Sequence, residues 1–335
     1  ASSILGVHWL YESYAKTVLR ELSWYAIESI RYVLLRNNYD MQQLNSSIAS
    51  VDYRAYGLLD KHTTTSAYIA LGVFAALSLA FTKNLSTKIA IYTIGLLVLF
   101  VGLGTTALLS YMLLAPVFML LCARPRQRLL SFTSPIVATV LFFVLVTLTS
   151  TTNSGVGTLL DHRWLTFKIQ LHSLFNFAEV PISTKYGDVN TSFPKVYQQE
   201  SAGFAHYLKS NPSVALLGEG IGDNTPKSFQ RGGDLGLMEF FVTFGLPLSA
   251  LLVVASLGLV GLATQAVLRA KIPSFEHQLL LFSLISVVFL MMTLGHYNTV
   301  FKKEILPVLM LALGLLSRLT PQPSLFGMRA PKRDN

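Results

Sequence analysis

The sequence predicts an all-α polytopic membrane bundle, with about seven spanning helices and a large helical loop on the periplasmic face. Three observations carry that expectation. Of the 335 residues 52% are hydrophobic and only 13% charged, with a mean hydropathy of +0.51, a balance that disfavours a soluble globular domain. The apolar residues gather into runs matching a bilayer crossing, roughly 17–25 residues each. The bases behind the formal charge of +9 cluster at the ends of these runs and in the tail instead of forming a stripe for nucleic acid, so no nucleic-acid partner is expected.

Residues 1–63 read as amphipathic helices followed by an outer-face segment. Ile4–Leu35 is rich in aromatic and aliphatic residues, yet Glu12, Lys16, Arg20, Glu21, Glu28 and Arg31 interrupt it too often for hydrocarbon. One or two helices on or near the membrane surface are expected there. Asn37-Asn38 marks a helix stop, and the polar stretch after it contains YRAYGLLDKH, in which Arg54 stands alone. The chain starts with Ala and shows no cleavable signal peptide, the pattern expected of a cut N-terminus with further spans before it.

Residues 64–150 hold four predicted spans, near 64–82, 87–103, 105–123 and 133–150. The second and third form one apolar run too long for a single crossing, and Gly102, Gly104, Thr105 and Thr106 are its natural break, a tight outer turn. Three more spans are predicted within 237–319, near 237–264, 277–296 and 303–319, before a cytoplasmic tail at 320–335. Lys83, Lys88, Arg124, Arg126, Arg128, Arg269, Lys271, Arg318 and the tail bases fall on one side when these spans alternate, and that side is read as the cytoplasm. Lys302 and Lys303 fall on the other side and need a separate reason.

The loop at 151–236 is too long to be structureless. Trp164, Phe167, Leu171, Leu174 and Phe175 recur at helical spacing, and Tyr197–Ser210 is a second helical pattern that stops at Asn211-Pro212. Both helices are expected to rest on the outer face of the bundle. No internal repeat or low-complexity segment is present.

Charge and backbone freedom come together at the mouth of a predicted span in NPSVALLGEGIGDNTPKSFQRGGDLGLMEFFVTFGLP, residues 211–247, which reads either as a re-entry loop with ordinary interfacial charges or as a site. Charge near a bilayer must be paired or used. Gly218, Gly220 and Gly222 form GxGxG, but no strand precedes them, so a dinucleotide fold is disfavoured. The glycines suit a sharp turn that is purely structural, or a close approach to a ligand or a neighbouring helix. The seven histidines lack metal-site spacing, no GxSxG elbow occurs, and Cys122 is the only cysteine, read as a small apolar filler. No metal and no cofactor is expected.

The predicted topology instead puts Arg54, Lys61, His62, Arg163, Arg231, Asp234, Glu239, His296, Lys302 and Lys303 on one face. Each arginine alone reads as an interfacial anchor, whereas together they suit an anionic site, because the guanidinium fork donates two parallel hydrogen bonds to phosphate oxygens. A carboxylate or histidine beside them could take a proton from a sugar hydroxyl. Asp234, Glu239 and His296 are the catalytic candidates in that order; Arg54, Arg163, Arg231, Lys302 and Lys303 are the substrate-binding ones.

In this order of parts the chain resembles the O-antigen ligase and polymerase superfamily of bacterial envelope enzymes. The shared features are YRAYGLL with Arg54 before a span, paired spans, DHRWLTFKIQ with Arg163 in a large outer loop, a helix ending in NPSVALLGEGIG, and a span opening with LMEFFVTFGLP. The resemblance covers most of residues 50–319. It implies an inner-membrane enzyme that moves a glycan from an undecaprenyl pyrophosphate carrier to an acceptor hydroxyl on the periplasmic side, with Arg54 and Arg163 on the pyrophosphate. The bilayer and, beyond it, other polysaccharide-assembly membrane proteins are the further partners. Ligases of this kind carry a His-Asn pair about a dozen residues before the glycine that here is Gly245; this chain has Gly233-Asp234 there, which favours a polymerase over a ligase proper. An anionic-solute or polysaccharide permease and a non-catalytic scaffold are the rival readings.

Overall fold

The computed structural model describes residues 2–14, 62–80, 84–102, 104–123, 125–152, 154–176, 181–184, 187–190, 193–220, 236–269, 275–294 and 305–319. Within these the chain is helical apart from one short hairpin. Helix α1 is Ser2–Tyr14, α2 His62–Leu79, α3 Leu85–Val101, α4 Thr105–Cys122, α5 Arg128–Ser150 and α6 Gly155–Asn176. Strands β1 (Pro181–Thr184) and β2 (Gly187–Asn190) follow, then α7 Phe193–Ser210, α8 Pro212–Leu217, α9 Gly236–Arg269, α10 Phe275–Leu294 and α11 Leu306–Leu319.

Among the described residues, three helices are long and apolar enough to cross a membrane: Arg128–Ser150, Gly236–Leu268 and Phe275–Thr293. Helices α2, α3, α4 and α11 are shorter apolar helices. In α5 the usual rule of burial is inverted. Leu130, Val137, Val140, Leu141, Val144 and Leu148 recur at helical spacing and are all exposed, while Ser131 and Pro135 are buried with Phe142 and Val146. An apolar stripe turned outward fits hydrocarbon as its surroundings. The threonines on α5 return their hydroxyls to the helix, Thr133 to the Leu129 carbonyl at 3.0 Å and Thr147 to that of Phe143 at 2.8 Å. Polar atoms satisfied within the helix are what lipid exposure requires.

Helix α10 is the inner strut of the bundle, packed against α2, α4, α9 and α11. Ser283 and Ser286 on it are fully buried, and such small side chains allow helices to approach closely. Phe74 of α2 joins the neighbouring helices through Tyr111 and Phe118 of α4 and Phe289 of α10, with ring centroids 5.3–6.0 Å apart. Tyr92 of α3 stacks on Tyr111 at 5.2 Å and meets Thr139 of α5 hydroxyl to hydroxyl at 2.6 Å, which fixes the register of three helices.

The apolar run at 87–123 is broken where glycines predicted it, between Val101 and Thr105. Trp9 of α1, fully buried, explains why the turn is built from glycine. A Cβ on Gly102 would lie 2.5 Å from the indole ring, and one on Gly104 would lie 2.5 Å from the Ser66 Cβ. Helix α1 therefore presses Trp9, Glu12 and Ser13 into the bundle while Ile4, Val7 and Tyr11 remain exposed.

Both loop helices expected from periodicity are present, as α6 and α7, each starting earlier than the pattern suggested. The hairpin between them departs from the all-helical expectation. Its strands are antiparallel, pairing Ile182 with Val189 and Thr184 with Gly187. β-Branched Ile182, Thr184 and Val189 favour extended backbone, and four-residue strands are too short to register as a period.

Candidate functional site

The fifth predicted span is not one continuous helix. At Gly245 the backbone has φ 73 and ψ 161, a conformation essentially restricted to glycine, and Pro247 follows two residues later. The proline explains the break. It has no N–H to donate to the carbonyl four residues back, and its ring clashes there, so Thr243 loses its intrahelical partner. The non-helical turn at Gly245 interrupts the helix between the Val242 carbonyl and Leu246, the residue whose N–H a continuous helix would offer it.

Both orphaned carbonyls are answered from the loop. Glu219 N–H donates to the Val242 carbonyl and Gly220 N–H to that of Thr243, each at 2.9 Å. Residues 218–220, which continue from α8, thus lie along residues 242–245 backbone to backbone. The approach is close on both sides. A Cβ on Gly218, itself at φ 73, would stand 2.4 Å from the Thr243 oxygen, and one on Gly245 would stand 2.5 Å from the Leu216 oxygen. Of the readings open for the glycines, a neighbouring helix is what Gly218 approaches; Gly222 lies outside the described residues.

This clasp sits just after Glu239, in the first turn of α9, where the helix dipole favours an anion. The carboxylate is partly exposed, but Oε2 is buried with no hydrogen-bond partner among the described residues. Phe240 and Phe244 behind it are in edge contact at 5.1 Å, and Phe241 meets Phe204 of α7 at 6.4 Å. Glu239 is thereby held on a helix fixed from two sides, by α7 and by the clasp.

Arg163 occupies a different setting. On α6 the positions Leu159, Leu160, Arg163, Thr166 and Phe167 form one inward face, and all are buried, Arg163 at 0% exposure. Phe167 reaches Phe100 of α3 at 6.1 Å and Phe143 of α5 at 5.4 Å, while Gln170, one further turn along, hydrogen-bonds Thr105 at the head of α4. The Arg163 guanidinium Nη1 lies 3.4 Å from His162 Nδ1. Arginine can only donate, so Nδ1 is the acceptor and the imidazole proton sits on Nε2. Burial, then the charge of Arg163, push His162 down to about 3, with Asp161 opposing them. The pair at neutral pH is a fixed cation beside a neutral ring.

Of the eight predicted site residues, Arg163 and Glu239 are described, and Arg54, Arg231, Asp234, His296, Lys302 and Lys303 lie outside the described residues. Arg163 and Glu239 stand on separate helices, α6 and α9, with α7 packed against both. Sequence reasoning did not anticipate the enclosure of Arg163 or the neutral His162 beside it. The signal was present, since Arg163 falls between Leu160 and Phe167 at apolar-face spacing. Comparisons with protein-family models, with curated proteins and with solved structures found no match to this chain.

Proposed function

We propose that this chain is a metal-independent membrane glycosyltransferase that takes a glycan from an undecaprenyl pyrophosphate carrier and joins it to an acceptor hydroxyl, acting as a polymerase. In this reading the bundle has seven spans and residues 151–236 face the periplasm. The observation that carries it is Glu239, a carboxylate at the head of a broken helix with one buried oxygen lacking a donor among the described residues. Such an acceptor suits an incoming sugar hydroxyl, from which it would take the proton as the anomeric bond to pyrophosphate breaks. Departure of pyrophosphate develops negative charge, which guanidinium groups stabilise most in the transition state. Arg231 lies in the same stretch as Glu239 and serves that role; Arg163, being enclosed, reaches a pyrophosphate only if α6 shifts outward.

The test is transfer from a lipid-linked repeat unit by the purified protein in liposomes, with product length read on a gel. Glu239→Gln is expected to lower chain extension by roughly 10²–10⁴-fold, the range for removing a general base. Wild-type extension by Glu239→Gln at equal reconstitution sinks the reading, and a single addition to a distinct acceptor turns it to a ligase.

A permease is the second reading, favoured by the broken helix, since interrupted spans build the substrate sites of many transporters. Those breaks sit near mid-membrane. Here residues 246–269 alone give about 36 Å of helix at about 1.5 Å per residue, which exceeds a hydrocarbon core of about 30 Å. That length supports a position for Gly245 near a membrane surface, which favours a transferase site over a mid-membrane one. Vesicle uptake of glycan without chain extension would decide for the permease.

A further inference from the structure

Helix α8 presents two leucines outward: Leu216 is 64% and Leu217 80% exposed, among the barest apolar side chains of the described residues. Their position is fixed, not incidental. The Leu216 carbonyl lies against Gly245, and the Glu219 and Gly220 N–H groups donate to the Val242 and Thr243 carbonyls, so α8 is pinned at the level where the long continuous part of α9 begins. From that level onward α9 turns Leu246, Leu248, Leu251 and Val254 outward. The two leucines therefore extend the outward apolar surface of a helix long and apolar enough to cross a membrane.

We infer that α8 is an interfacial wedge whose Leu216 and Leu217 insert into the acyl region of one leaflet beside α9. The occupant is bilayer lipid. An apolar surface continuous with that of a spanning helix meets the same hydrocarbon, and polar contact at this depth is already met by the clasp, which leaves no backbone group of Val242 or Thr243 waiting for water. The wedge holds the Glu219–Gly220 turn at the boundary between headgroups and hydrocarbon. The inference is independent of any transferase chemistry, since it concerns only where α8 lies.

The experiment uses the whole chain with its one cysteine removed as Cys122→Ala, a spin label on Leu217→Cys, and liposomes of phosphatidylethanolamine and phosphatidylglycerol. Collision with oxygen, which partitions into lipid, is compared with collision with a water-soluble nickel chelate. Leu251→Cys serves as the lipid reference and Lys209→Cys, exposed on α7, as the aqueous one. The ratio at Leu217→Cys is expected to shift toward oxygen, as at Leu251→Cys. A ratio matching Lys209→Cys overturns the inference in favour of a water-facing turn. An immobilised label reached by neither reagent overturns it in favour of a protein partner or a second copy. Leu216→Cys gives the same reading if the first variant fails to fold.

Discussion

Replacing Gly245 by alanine attacks the backbone clasp without touching any polar side chain. The φ of 73 and ψ of 161 at this residue are nearly closed to residues with a Cβ, and holding one there costs about 1–3 kcal/mol. The new methyl would also meet the Leu216 oxygen at 2.5 Å and the Gly218 nitrogen at 2.8 Å. Both are backbone atoms, so no rotamer change relieves the contact, and overpacking of this kind costs about 1–3 kcal/mol. Releasing the strain by opening the clasp instead forfeits two hydrogen bonds, about 1 kcal/mol each. Keeping the clasp therefore costs about 2–6 kcal/mol and opening it about 2 kcal/mol, either one a sizeable part of a typical folding stability of about 5–15 kcal/mol. Gly258→Ala and Gly261→Ala are the controls, because a Cβ there meets nothing within 4 Å and alanine is the better helix former. Thermal unfolding in one detergent, with hydrogen exchange at the Glu219 and Gly220 amides, reads the effect. The reasoning is refuted if Gly245→Ala melts with the controls and both amides keep wild-type protection.

The remaining predictions concern charge and sidedness. Because the folded value of His162, about 3, lies below its unfolded value of about 6.5, the unfolded chain takes up the proton first as pH falls. Stability present above pH 6.5 is then lost toward pH 3 at up to about 1.4 kcal/mol per unit. His162→Asn, which cannot titrate, should flatten that dependence, and thermal midpoints across this range check it. For topology, Arg126, exposed before α5, and Asn190, on β2, should sit on opposite sides of the membrane. An impermeant thiol reagent on intact cells is expected to label Asn190→Cys and not Arg126→Cys; the converse result inverts the orientation.

The helices were legible because their causes are local. Hydropathy runs gave the apolar helices, the Gly-Leu-Gly interruption gave the α3–α4 turn, and a 3.6-residue period gave α6 and α7. The clasp was half legible. Pro247 marks the Thr243 carbonyl as an orphan four residues back, but which donor answers it depends on a contact between residues more than twenty apart, and no periodicity encodes that pairing. Arg163 and Glu12 were read as charges and therefore assigned to a surface. Each occupies an inward helical position, Glu12 one turn after the buried Trp9 and Arg163 one turn before Phe167, so position along the face was the better guide than charge. The short hairpin left no periodic trace at all.

The depressed titration of His162 has two physical sources, and they can be separated. Burial alone disfavours the imidazolium, and the neighbouring guanidinium adds a fixed like charge that cannot be shed, since arginine stays protonated throughout the accessible range. Arg163→Met keeps a long apolar stem in the same enclosed position and removes only the second source. The folded His162 should then titrate above about 3, closer to its unfolded value, so acid destabilisation of Arg163→Met should level off at a higher pH than in the wild-type chain. Adding His162→Asn to Arg163→Met should then change the pH profile less than His162→Asn does alone, because part of the effect has already been removed. Identical pH profiles for Arg163→Met and wild type would mean that the guanidinium does not act on the ring. The 3.4 Å contact on α6 would then be packing alone.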